Sequence, residues 1–118
     1  MNNADFIRVV DEQLTMCREL LVVKGKEYDA DTEDRLHSFK VAAEMQHVTP
    51  MQALAGMMAK HTVSIYDMCA ENNTNIAKWD EKITDSINYL LLLRSLVREE
   101  LETSKTVLYA NGKEVAAI

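Results

Sequence analysis

Apolar residues recur at intervals of three and four through most of this chain, the period of helices that each bury one side. Phe6, Val10, Leu14, Cys17 and Leu21 form the first stripe, with Asn3 or Asp5 able to cap its start and Gly25 near its end. Tyr28 to Asp34 is polar and reads as a loop. Leu36, Phe39 and Ala43 then mark the inner face of a shorter helix, from about Thr32 to Gln46. The clearest boundary follows. Thr49 can cap, Pro50 suits the first helical position, and Gln52 completes a capping box with Thr49. The inner face of this third helix reads Met51, Leu54, Met58, His61, Ile65 and Met68.

Glu71 to Thr74 is a loop, after which Thr74 or Asn75 can cap a fourth, long helix from about Ile76 to Thr103. Its second half, Ile87 to Val97, is apolar nearly all the way round, with Asn88, Arg94 and Ser95 as exceptions. A helix oily on every side must be covered on every side. Three partner helices from a short chain scarcely manage that, so the expectation is a homo-oligomer with this helix at the subunit interface. In the tail, Asn111-Gly112 between Val107-Leu108-Tyr109 and Val115 is a hairpin signal; a frayed terminus is the alternative. The pattern predicts an all-α, four-helix bundle-like fold. It is one domain over residues 1–118, with a core at 3–104, a tail at 105–118, and no repeat or linker.

Composition agrees. Hydrophobic residues are 47% and charged residues 27% of 118, which argues against disorder. Only 3 Gly and 1 Pro are present, too few for the turns of a β-sandwich or a doubly wound sheet. The formal net charge of -6, with no basic run, excludes a binder of long nucleic acid while leaving room for a small phosphate-bearing ligand. Cys17 and Cys69 fall in apolar helical patterns without metal-type spacing and read as buried, reduced thiols. The N-terminus lacks the layout of a signal peptide, and the longest apolar run, Leu90 to Leu93, cannot span a bilayer. The expected location is cytoplasmic, with no membrane partner.

Candidate chemistry gathers on the fourth helix. Each helical residue turns by about 100°, so Glu81, Asp85 and Asn88 fall within roughly 60° of one another, with Ile83, Ile87 and Leu90 opposite. Carboxylates at i and i+4 repel by a few tenths of a kcal/mol on a solvated face, and more beside apolar surface unless a cation sits between them. Mg²⁺ is the natural occupant, since it takes oxygen ligands and keeps several waters. A solvated acidic patch near the helix N-terminus, favoured by the dipole, is the plainer reading.

His61 lies between Met58 and Ile65 and reads first as a hydrogen-bonded core histidine. Lys60, Ser64 and Asp67 form a more polar line beside it, either surface pairing or the wall of a pocket facing the fourth helix. Lys24, Lys26, Glu27 and Tyr28 crowd a helix end. Lysine capping accounts for them, or they form a phosphate clamp with an aromatic platform for a base. The 7 methionines sit mostly at core spacing. No phosphate-binding Gly-rich loop, nucleophile elbow or zinc spacing occurs.

Taken in order, Lys24, Glu27 and Tyr28, then the Met-rich helix with Lys60-His61, then Glu81 to Leu93 (EKITDSINYLLLL) resemble a known family. They look like the phage-encoded nucleotide-modification-associated domain proteins, which are similar in turn to the MazG-like all-α NTP pyrophosphohydrolases. The resemblance covers roughly Leu21 to Val97. It implies a helical oligomer that binds Mg²⁺ (or Mn²⁺) through carboxylates on two neighbouring helices. Water then attacks a nucleoside triphosphate and releases pyrophosphate and a monophosphate.

Carried onto this sequence, Glu81 and Asp85 become metal ligands and the catalytic pair, Asn88 a hydrogen-bonding partner, and Lys24 or Lys26 a phosphate contact. MazG-like enzymes carry a Glu-Glu-x-x-Glu set on the first helix of the pair. Here that helix offers only Asp67 as a further ligand, with Lys60 and His61 where acids are expected. A rearranged hydrolase is the first reading. A protein that binds or sequesters nucleotides without hydrolysis is the second, and a helical oligomeric interaction module the third.

Overall fold

The computed structural model describes the backbone of residues 1–25 and 34–110, with side chains to residue 102. Among the described residues there are four α-helices: α1 (Asn3–Arg18), α2 (His37–Gln46), α3 (Pro50–Ala70) and α4 (Ile76–Ala110). A π-helical turn, Glu19–Val23, extends α1. The all-α expectation holds, and no described residue is in a strand. No helix among the described residues is long and apolar enough to cross a membrane.

Local chemistry explains most boundaries. The first cap is Asn2, ahead of the expected residues: its side chain accepts from the Asp5 N–H at 2.8 Å. In the capping box before α3, Gln52 N donates to Thr49 Oγ1 at 3.2 Å and Thr49 N to Gln52 Oε1 at 3.0 Å. Asn75 caps α4 by accepting from Lys78 N at 3.2 Å. Helix α2 starts at His37, later than predicted. Asp34 accepts from Leu36 N at 2.9 Å through its side chain and from His37 N at 3.2 Å through its carbonyl, holding residues 34–36 in a turn. Its far end closes with His47 in the left-handed region (φ 56°) and a Val48 N to Ala43 O bond of 3.0 Å.

The C-terminal hairpin is corrected. Val107-Leu108-Tyr109 belongs to α4, which runs on to Ala110, so helix continuation wins over β-propensity there. Asn111-Gly112 and Val115 lie outside the described residues.

The core forms where α2, α3 and α4 meet. Leu36, Phe39, Leu54 and Leu96 are buried together, with Met51, Met57, Tyr89, Leu92 and Leu93 packed around them. Leu54 and Met68 are fully enclosed, as the α3 stripe predicts. Helix α1 lies alongside α4. Gln13 bonds Thr84, and Leu21 and Leu92 line one cavity, so the two helices run parallel in the same register.

Two apolar faces depart from expectation. On α1 only Cys17 is buried, while Phe6 is 56% exposed and Val10 and Leu14 are also open, because the N-terminal turns meet no facing helix among the described residues. On α4 the side expected to be solvated turns inward: Thr84 and Asn88 are buried and Asp85 is half-buried, while Ile83 and Leu90 face outward. Among the described residues, nothing gives α4 on that side the cover expected all round it. The Cα radius of gyration, 17.8 Å, exceeds the about 13 Å of a compact domain this size, and the 55 Å long axis matches the reach of α4.

Candidate functional site

The α3–α4 contact carries the most concentrated polar chemistry in the interior. His61 sits on the α3 face that also buries Leu54 and Met68, and its side chain is only 12% exposed. Across from it, α4 presents Asp85, 26% exposed, and Tyr89 one turn further on. His61 Nδ1 lies 3.9 Å from Asp85 Oδ2, close enough for attraction and too far for a hydrogen bond. The His61 and Tyr89 rings pack at 5.1 Å between centroids and 42° between planes, which fixes the tilt of the imidazole.

Two buried polar atoms have no partner among the described residues: His61 Nδ1 at this contact and Asn88 Oδ1 nearby on α4. Asn88 follows Asp85 by three residues, about 60° round the helix and 4.5 Å along it. It is 6% exposed. Leaving a buried polar atom unpaired costs about 1–3 kcal/mol. Apolar side chains of similar size would fill these positions without that cost. Ser86 Oγ is also buried and unpaired, on another side of α4.

Helix α1 supplies neighbours that the sequence did not disclose. Gln13 Nε2 donates to Thr84 Oγ1 at 2.9 Å and approaches Cys17 Sγ at 3.4 Å. Gln13 satisfies Thr84 one turn before Asn88 and leaves Asn88 Oδ1 open. The only hint was a lone amide bordering an apolar stripe. Cys17 is a buried free thiol, as expected; Cys69 is free but exposed, which departs from the buried reading.

The other candidate residues are dispersed. Glu81 is exposed, one turn before Asp85 on the same edge of α4. Lys60 and Asp67 are exposed on α3, so they line the outside of that helix, with Ser64 half-buried between. Lys24 is exposed just past the π-turn, its N–H donating to Glu19 O at 3.0 Å. Lys26, Glu27 and Tyr28 lie outside the described residues. Glu81, Asp85 and Asp67 do not form a three-ligand group among the described residues. The pair Glu81–Asp85 alone suits Mg²⁺, which takes one or two carboxylates and keeps waters or phosphate oxygens for its remaining positions.

Further along the same face of α4, a cavity of about 690 Å³ opens between α1, the turn before α2 and α4. Leu21, Val22, Leu36 and Leu92 supply its apolar lining, and Asp34, Arg35, Arg98, Glu99 and Glu102 its charged lining. Gly25 makes room for Arg35: a Cβ there would sit 2.7 Å from the Arg35 Nη2 atom. Leu92 is two turns beyond Asp85, about 10 Å along the axis. Comparison with protein-family models, curated proteins and solved structures returns no match for this chain.

Proposed function

We propose that this protein is a Mg²⁺-dependent nucleotide phosphohydrolase of the MazG-like type, converting a nucleoside triphosphate to a monophosphate and pyrophosphate. The observation that carries this reading is the set of buried, unpaired polar atoms beside a half-open carboxylate: His61 Nδ1, Asn88 Oδ1 and Asp85. Such a set is costly in an empty fold and useful around a polar ligand. The cavity along the same face has the volume and apolar lining that a nucleoside needs.

In this reading Asp85 and Glu81 hold the metal, which when bound neutralises phosphate charge and orients the attacking water. Water adds at the α-phosphorus, the bond to the bridging oxygen breaks, and pyrophosphate leaves. Asn88 Oδ1, an acceptor, takes a hydrogen bond from a ribose hydroxyl or a water. His61 stands opposite Asp85 to hold a water or phosphate oxygen between them. Nucleoside triphosphates and Mg²⁺ coexist in the cytoplasm, which suits the expected location.

A nucleotide-binding protein without hydrolysis is the second reading. It is favoured by one feature: α3 offers a histidine, not carboxylates, to Asp85. A panel of nucleoside triphosphates with Mg²⁺ or Mn²⁺ separates the two. Pyrophosphate release that vanishes in Asp85→Ala supports the enzyme. Thermal stabilisation by a nucleotide without release supports the binder. Silence in both measurements overturns both.

A further inference from the structure

Helix α4 carries a second ordered feature on the side turned away from the nucleotide site. Ile76, Ile83, Leu90 and Val97 recur at intervals of seven, and Asp80, Ile87, Arg94 and Leu101 interleave with them at alternating steps of three and four. This is the spacing of a helix–helix seam. Ile76, Ile83 and Leu90 are exposed, and Ile87, Val97 and Leu101 only half-buried. Asp80 and Arg94 are both exposed, and neither makes an ion pair among the described residues.

We infer that this seam pairs with the same seam of a second copy of the chain, antiparallel and centred near Ile87. The charges select both the occupant and its direction. Asp80 and Arg94 stand seven residues either side of Ile87. An antiparallel two-fold pair therefore brings Asp80 within a turn of the partner subunit's Arg94, twice over, while a parallel pair sets Asp80 against Asp80 and Arg94 against Arg94. A two-fold interface is self-complementary in this sense. An oppositely charged residue at each end of an apolar run fixes register and direction. The pairing stands independently of whether the α3–α4 site takes a nucleotide.

Light scattering on the full chain at micromolar concentration reads the result. The expected mass is twice the 13.4 kDa of one chain. Leu90→Glu places a charge in the seam on an exposed position and weakens association by roughly 100-fold or more, with helical content unchanged by circular dichroism. Asp80→Arg and Arg94→Asp each weaken the dimer, and the double exchange restores it; a parallel pair shows neither the loss nor the rescue. A monomeric wild type, a dimer indifferent to Leu90→Glu, or an unrescued double exchange overturns the proposal.

Discussion

His61 Nδ1 and Asp85 Oδ2 face each other across the α3–α4 contact at 3.9 Å, with the imidazole tilted against Tyr89 and no hydrogen bond closing the gap. A gap of this size between a buried nitrogen and a half-open carboxylate leaves both groups free to engage a third. Closing it directly would satisfy the nitrogen at little structural cost. The open arrangement is what the nucleotide reading uses.

Asp85→Asn keeps the shape and removes the charge. It is expected to lower pyrophosphate release by about 100-fold or more, the scale for losing one preorganised group at a developing charge. His61→Gln should cost about 10- to 100-fold, as for a residue that orients its neighbour. Both side chains touch solvent, so the thermal midpoint of each variant should stay within a few degrees of wild type. Steady-state assays on the variants, alongside their melting curves, check this. Collapse of both fold and activity together would assign the pair to stability alone.

The two apolar stripes should differ sharply under mutation. Leu54→Ala removes a side chain with no exposed surface and should cost about 2–5 kcal/mol in denaturant unfolding. Phe6→Ser alters a residue that is mostly exposed and should fall within about 0.5 kcal/mol. From sequence alone the two look equivalent, since both sit on helical stripes. Thr49→Ala, which removes one side of the capping box, should cost about 1 kcal/mol.

This contrast marks what the sequence could and could not disclose. The start of α3 was legible to the residue, because Thr49, Pro50 and Gln52 act through local bonds alone. The Leu36, Phe39 and Leu54 core was legible too, because each lies on a stripe whose partner helix is close in sequence. The orientation of α4 was not. Its polar stripe and its apolar stripe are each internally consistent, and only tertiary packing decides that Asn88 goes inward and Leu90 outward. The Gln13–Thr84 bond joins residues 71 positions apart and leaves no periodic trace. Glu81 and Asp85 stand one turn apart on one edge of α4, and Lys60 and Asp67, read as surface pairing or a pocket wall, are exposed on the outside of α3.

Acid and base should act on one tether at opposite ends of the pH scale. Lys40 Nζ lies 2.7 Å from both Asp34 Oδ2 and Glu99 Oε1, tying the start of α2 to α4. The Lys40 hydrogen bond, reinforced by the Leu36 N–H, holds the Asp34 carboxyl below its ordinary 3.8. Bonds to Asp34 and Glu99 hold the Lys40 ammonium above its ordinary 10.5. A lowered acid stabilises above its unfolded value and loses that contribution as pH falls through the folded one. A raised base stabilises fully below its unfolded value and loses that contribution as pH rises through the folded one. The tether is thus intact from about pH 5 to 9. Lys40→Met should lower the melting temperature slightly within that window and flatten its dependence at both ends. These groups are solvent-facing, so the shift is small and shrinks in high salt. Melting curves against pH at two ionic strengths test it.

Asn88→Leu sets stability against function at a single position. The amide is buried, its carbonyl oxygen has no partner, and the neighbouring Thr84 already takes the Gln13 donor. An apolar side chain of similar length removes the unpaired atom and should raise stability by about 1 kcal/mol. If Asn88 serves a ligand, the same change should abolish nucleotide-dependent stabilisation and pyrophosphate release while the free protein melts higher. A variant that is stabler yet still responds to nucleotide would show that the ligand never reaches the inner edge of α4. A variant that is less stable would show that Asn88 has a structural partner within the fold. Differential scanning calorimetry with and without nucleotide and Mg²⁺ distinguishes these three outcomes in one experiment.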